Sequence, residues 1–297
     1  ALTLLENNAR VIDPASGSDV HIAPDRNKML LMGALVGVVI PLIILLLITF
    51  LDTKVHGRKD ITEAVSIPFI GTIPLVKKHK KNKQKSPEMT DIIVSPHGRD
   101  VLSEAVRIVR TNLTFMTQKY DHTPVITFTS FNESAGKTFV ASNLAMSLVN
   151  AKKKVVIVDL DLRKRTLSKR LGVMHKTLGA SNYLYDSSVK MEQIIKKDIV
   201  PGVDVVPAGM VPPNPVELLK RDRLEQMIIE LRSVYDFILI DNVPINIVAD
   251  SSVINRVVDT TLFVIRSGKV DRRVLSQIED LYVNGKLNNM GIVLNGS

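Results

Sequence analysis

Residues 29–51 read MLLMGALVGVVIPLIILLLITFL, 23 consecutive positions without a charged side chain. A helix of that length reaches roughly 34 Å at about 1.5 Å per residue, enough to cross a hydrocarbon layer about 30 Å thick. Buried helices of soluble proteins rarely stay free of charge over such a length. The run is also too long for the apolar part of a secretory signal, and no small-residue cleavage site follows it. It predicts one membrane-spanning helix, with Pro41 inside it as the kind of residue that membrane helices tolerate, usually with a kink.

The flanks predict the orientation. Residues 1–28 carry Arg10, Arg26 and Lys28 against Glu6, Asp13, Asp19 and Asp25. Residues 52–98 carry nine Lys and Arg against five acids, with Lys54, Arg58 and Lys59 just past the apolar run and Lys77, Lys78, Lys80, Lys81, Lys83 and Lys85 in one cluster. The positive-inside rule puts everything after residue 51 in the cytoplasm. The lysine cluster reads as a solvated linker or as a contact for anionic lipid headgroups, each lysine worth about 1 kcal/mol near the surface. No nucleic acid is expected as a partner: the cluster lies beside a membrane and lacks a recognition motif, and a chain with no Trp and 4% aromatics offers few stacking surfaces. Absence of cysteine excludes disulfides, thiolate metal sites and a cysteine nucleophile.

Past the helix the text is short and punctuated, with Pro68, Gly71, Pro74, Ser86-Pro87 and Pro96-His97-Gly98. This predicts a small folded element at 60–76 and a flexible linker at 77–98. From residue 99 onward, apolar blocks alternate with helical patterns. The blocks begin at Val125, Val155, Val203, Phe237, Thr261 and Gly291. Continuous apolar strands between helices predict a mostly parallel sheet covered on both faces, an α/β doubly wound domain over 99–297. The expected order is thus an outer end at 1–28, a membrane helix at 29–51, a juxtamembrane segment and linker at 52–98, and this domain.

The first predicted strand runs into Thr129-Ser130-Phe131-Asn132-Glu133-Ser134-Ala135-Gly136-Lys137-Thr138 and then a helix starting near Phe139. A strand, a tight loop ending Gly-Lys-Thr and a helix form the setting of a phosphate-binding loop. The expected nucleotide contacts are Asn132, Glu133, Ser134, Ala135, Gly136, Lys137, Thr138 and Phe139. Lys137 supplies a cation to the β/γ oxygens and the Thr138 hydroxyl serves Mg²⁺. Phe131 stands where the usual pattern has its first glycine. The second strand ends in Asp159-Leu160-Asp161, and alternation along an extended chain is expected to point both carboxylates the same way, at the ligand-binding edge. The fourth ends in Asp241, followed by Asn242-Val243-Pro244. Three acids at strand tips beside a Lys-Thr loop suit a Mg²⁺–triphosphate, with Thr138, Asp159, Asp161 and Asp241 as the metal-side residues. One carboxylate remains to accept a proton from an attacking hydroxyl.

Four segments together carry a resemblance to a known family. SFNESAGKT resembles the Walker A loop, VVIVDLDLR the Walker A′ segment and FILID the Walker B strand of the bacterial tyrosine kinases fused to polysaccharide co-polymerases. Gly209-Met210-Val211-Pro212-Pro213-Asn214-Pro215-Val216-Glu217-Leu218-Leu219 resembles their G-x-x-P-P-N-P-x-E-L-L block. The resemblance implies an ATP- and Mg²⁺-dependent tyrosine autokinase at the bacterial inner membrane, regulating capsule or exopolysaccharide polymerisation and export. It implies Lys137, Asp159 and Asp161 as catalytic residues, with Asp159 as the base, and residues 1–28 as the end of a periplasmic domain. Glu104, Arg107 and Arg110, spaced as the family's E-x-x-R-x-x-R, would contact a neighbouring copy in an octamer-like ring. On spacing alone they would form a solvated, salt-bridged face. Further implied partners are a tyrosine phosphatase, the polysaccharide export machinery and inner-membrane lipid. Alternatives are an ATP-switched assembly ATPase and a ring scaffold without kinase activity.

The tyrosines Tyr120, Tyr183, Tyr185, Tyr235 and Tyr282 are scattered and read as packing or surface residues, whereas the family carries a C-terminal tyrosine cluster. Thr166 stands where some relatives have a regulatory tyrosine. The six histidines show no metal-binding spacing and read as surface or linker residues.

Overall fold

The structure is a computed structural model that describes residues 25–75, 98, 100–173, 177–245 and 253–297. The lysine cluster at 77–85, His21, His79, His97, His175 and most of the expected outer end lie outside the described residues. The described chain forms two units that divide at Asp52 and Thr53.

The first unit is helix α1, Arg26–Leu51. Asp25 caps it, its side chain accepting from the Asn27 N–H at 3.1 Å, and Pro41 lies within it. With 26 residues, a mean hydropathy of 3.1 over its apolar stretch and no buried residue, it is long and apolar enough to cross a membrane.

The second unit is an α/β fold around one eight-stranded sheet. Its strands are β1 (Phe69–Ile73), β2 (Val125–Thr129), β3 (Val155–Asp159), β4 (Lys196–Val200), β5 (Val203–Val206), β6 (Phe237–Asp241), β7 (Thr260–Arg266) and β8 (Met290–Asn295). They lie in the order β1-β8-β7-β2-β6-β3-β5-β4, all parallel except the β4–β5 pair. The six expected strands are all present. Every residue of β2, β3, β6 and β8 is buried, as a sheet covered on both faces requires. Alternation divides the side chains between layers: Phe237 and Leu239 face one core with Phe128 and Leu144, whereas Ile238 and Ile240 face another with Leu224 and Met227. A third core gathers Phe263, Ile265, Ile292 and Leu294.

Helices α2 (Arg58–Thr62) and α3 (Val101–Thr117) precede β2, and α4 (Lys137–Asn150) follows it. Between β3 and β6 come α5 (Thr166–Arg170), α6 (Ala180–Tyr185), α7 (Met191–Ile194), α8 (Pro215–Leu219) and α9 (Arg223–Arg232); α10 (Arg273–Val283) precedes β8.

Two strands lie outside the expected set. β4, KKDIV, is a polar edge strand whose lysines guard the open edge. β1 corrects the expected domain boundary. The segment expected as juxtamembrane supplies the other edge strand, pairing in parallel with β8. Val55, Ile61, Val65 and Ile67 from the same segment pack into the Phe263 core. The compact domain therefore starts at Thr53 rather than at residue 99.

Candidate nucleotide site

β2 is the strand from which the sheet extends both ways, with β6 and β3 on one side and β7, β8 and β1 on the other. Ligands of such sheets bind beyond the carboxyl ends of the strands at this switch point. Register aligns Phe128 of β2 with Asp241 of β6, and Asp241 with Asp159 of β3. One rim thus brings together the loop after β2 and the acids after β3 and β6.

The loop turns on two left-handed residues, Ser134 (φ 60°) and Gly136 (φ 93°), a backbone alternation that turns successive N–H groups toward one anion. A Cβ on Gly136 would lie 2.1 Å from Asn295 Nδ2. That amide, at the end of β8, donates to the Ala135 carbonyl at 2.8 Å and braces the loop. Gly136 caps α4, whose first residues are Lys137 and Thr138. Lys137 Nζ donates to Ser130 Oγ at 3.3 Å. Burial lowers the Lys137 pKa, opposed by the charges of Asp241, Asp161 and Glu133.

A cavity of about 140 Å³ opens on this rim. Of the expected nucleotide contacts, Glu133, Ser134, Gly136, Lys137 and Thr138 line it. Asn132, Ala135 and Phe139 do not: Ala135 is buried against the sheet, and Phe139 packs on the core. Asp161 and Asp241 complete the acidic side. The Thr138 hydroxyl donates to Asp241 Oδ2 at 2.7 Å, while Asp241 Oδ1 is buried with no hydrogen-bond partner. An orphaned carboxylate oxygen beside a hydroxyl fits a hard divalent cation whose remaining ligands are phosphate oxygens and water.

The expected pair of parallel carboxylates is corrected. β3 ends at Asp159, and the chain turns so that only Asp161 faces the cavity. Asp159 is fully buried. Its Oδ2 accepts from the Ser168 hydroxyl at 2.6 Å and the Ser168 N–H at 2.9 Å, and its Oδ1 from the Asp161 N–H at 3.2 Å. Among the described residues no three carboxylates converge as metal ligands; of the expected metal-side residues, Thr138, Asp161 and Asp241 line the cavity and Asp159 does not.

Desolvation raises both buried acids, Asp159 to about 8 and Asp241 to about 6, with their mutual charge adding to the rise at Asp159. The folded chain therefore holds protons that the unfolded chain releases near pH 4. That contribution to stability is complete at acid pH and is lost as pH climbs toward 8. In the presence of a chelator the melting temperature of the protein is expected to fall from pH 5 to pH 8. Asp159→Asn, which mimics the protonated form, should reduce the slope and raise the melting temperature at pH 8. An unchanged slope in a thermal-melt series would contradict this.

Residues 123–270 match the AAA domain family. Tyrosine-protein kinase YwqD of Bacillus subtilis (strain 168) is 31% identical over 206 residues, spanning 69% of this chain and 86% of that protein. Tyrosine-protein kinase etk of Escherichia coli (strain K12) is 30% identical over 301 residues, covering 97% of this chain. The solved kinase domain of the E. coli tyrosine kinase ETK superposes with a TM-score of 0.72 at 29% identity, over 82% of this chain and 94% of that one. The chain belongs to the bacterial tyrosine kinases. It spans 41% of the length of the E. coli relative.

Within this family's fold, several lining residues here had no role assigned from the sequence. Lys164, Thr166, Arg170, Asn242 and Pro244 complete the cavity wall. Lys164 pairs with Glu133 at 2.5 Å, and the Thr166 hydroxyl lies 3.4 Å from Asp161 Oδ2. Asn295 and Ser168 act one layer back. Nothing local marks them, because their partners lie 160 and 9 residues away.

The remaining expectations fall elsewhere. Glu104 and Arg107 pair with each other at 2.7 Å on the solvent side of α3, whereas Arg110 is half-buried and donates to the Ser147 carbonyl on α4 at 2.7 Å. Tyr183 and Tyr235 are buried with their hydroxyls on Glu230 and Asp204 at 2.7 Å, and Tyr185 is exposed.

Proposed function

We propose that this chain is part of a membrane-anchored protein-tyrosine autokinase. It binds ATP and Mg²⁺ and transfers the γ-phosphoryl to tyrosines of a neighbouring copy, in a system that polymerises or exports capsule or exopolysaccharide at the bacterial inner membrane. The carrying observation is the joint lining of one rim cavity by Lys137, Thr138, Asp161 and Asp241, in a chain of the tyrosine kinase family.

The loop N–H groups and Lys137 hold phosphate oxygens. Thr138 and Asp241 Oδ1 would hold the magnesium ion, which when bound neutralises charge on the β and γ oxygens. Asp161, open to the cavity, accepts the proton of the attacking tyrosine hydroxyl. Asp159 was expected as that base; its engagement by Ser168 supports a positioning role instead. The direct test is phosphotyrosine formation by the full-length protein with ATP and magnesium. Phosphate release without phosphotyrosine would favour an assembly ATPase.

Self-association in a ring, octamer-like, gains support from α3. Val101, Ile108 and Phe115 are exposed at seven-residue spacing, beside the Glu104–Arg107 pair. A cognate phosphatase, the export machinery and anionic lipid at the lysine cluster complete the proposed partners. Orientation is testable because the chain has no cysteine of its own. A membrane-impermeant maleimide applied outside spheroplasts should label Ser16→Cys strongly and Lys153→Cys at least about tenfold less, as the positive-inside rule requires. The reverse pattern would overturn the orientation.

A further inference from the structure

Phosphoryl transfer spreads negative charge over the three equatorial oxygens of the group in flight, and cations preorganised around it lower the barrier. The phosphate loop here supplies one, Lys137. The segment after Asp161 and α5, the five-residue helix Thr166–Arg170, line the same cavity through Lys164, Thr166 and Arg170. Lys164 is paired with Glu133 of the phosphate loop at 2.5 Å. Arg170, the last residue of α5, lines the same cavity, and its positive charge acts on Asp241.

The helix that carries Arg170 is firmly seated. Leu167 is fully buried, and Ser168 is tied to Asp159 by two hydrogen bonds while its hydroxyl accepts from the Ala208 N–H at 3.0 Å. A basic residue in the last turn of a helix also has an ordinary role, as a counter-charge to the helix end. Lys169 on the same turn can serve it equally and does not line the cavity. The two neighbours therefore separate a helix-end role from a role in the site.

Resting on the kinase reading above, we propose that Arg170 is a further catalytic residue, contacting the transferred phosphoryl group in the cavity it lines together with Lys137. In the step it serves, the bond from the γ-phosphorus to the β–γ bridging oxygen breaks and ADP leaves with that electron pair. The bond from the tyrosine oxygen to phosphorus forms, and the tyrosine proton passes to Asp161. Arg170 holds a γ oxygen throughout and neither gains nor loses a proton, as befits a guanidinium.

The test uses the full-length protein, a fluorescent ATP analogue for affinity, and ADP formation with a Glu-Tyr copolymer as acceptor. Arg170→Ala is expected to lower kcat about a hundredfold, the scale of losing one donor to transition-state charge, with nucleotide affinity within about threefold. Arg170→Lys should recover part of the loss, added guanidinium ion should restore part of the Arg170→Ala activity, and Lys169→Ala should match the unmodified protein. Two results would overturn the inference: Arg170→Ala keeping kcat within about threefold while Lys137→Met is silent, or a loss that guanidinium does not relieve and that falls equally on affinity. ADP formation that leaves no phosphotyrosine on the copolymer would instead remove the kinase reading itself.

Discussion

Lys137→Met is expected to reduce ATP-dependent phosphotyrosine by at least about a hundredfold, on the scale of removing a preorganised charge from a transition state. Lys137 is the ammonium group held inside the phosphate loop, 3.3 Å from Ser130 Oγ and facing the charges of Asp241, Asp161 and Glu133. Methionine keeps most of the side-chain volume and deletes only the charge. Burial already disfavours that charge in the absence of ligand, so the variant should melt no lower than the unmodified protein. Anti-phosphotyrosine blotting with a parallel thermal melt separates the two effects. Signal within a few-fold of the unmodified protein, at equal melting temperature, would sink the assignment of Lys137.

A chain starting at residue 99 should fail to yield a stable domain, whereas one starting at residue 53 should fold. The segment between them buries Val55, Ile61, Val65, Ile67, Ile70 and Ile73. At roughly 1.5–3 kcal/mol for each buried aliphatic side chain, their loss rivals the whole net stability of a domain, about 5–15 kcal/mol. Removing β1 also bares the β8 edge, a long apolar strand open to pairing with another chain. Soluble yield and melting temperature of the two chains provide the comparison, and a soluble, cooperatively melting 99–297 chain would contradict the boundary. A milder version is Ile61→Ala in the full protein, expected to cost about 2–5 kcal/mol by denaturant titration.

Much of this molecule was legible in its residues because the signals are local. The 23 uncharged residues become one helix, and the strand, loop and Gly-Lys-Thr sequence becomes β2, the phosphate loop and α4. The six apolar blocks become strands because a parallel sheet covered on both faces needs continuous apolar runs. β1 and β4 lack that signature. FIGTI is short, holds a glycine and sits between Pro68 and Pro74, and KKDIV is a polar edge.

The amino-acid sequence by itself determined the apolar helix long enough to span a membrane, the fold class and the phosphate loop, since each depends on neighbours within a few residues. Only the tertiary structure decided which carboxylate faces the cavity, that Asn295 braces Gly136, that Lys164 and Arg170 join the wall, and that the domain starts at Thr53. Those outcomes depend on partners brought together by chain turns and crossovers, from nine to more than two hundred residues apart. Hydrogen bonds and close packing select a single direction for each such side chain only once the sheet has assembled.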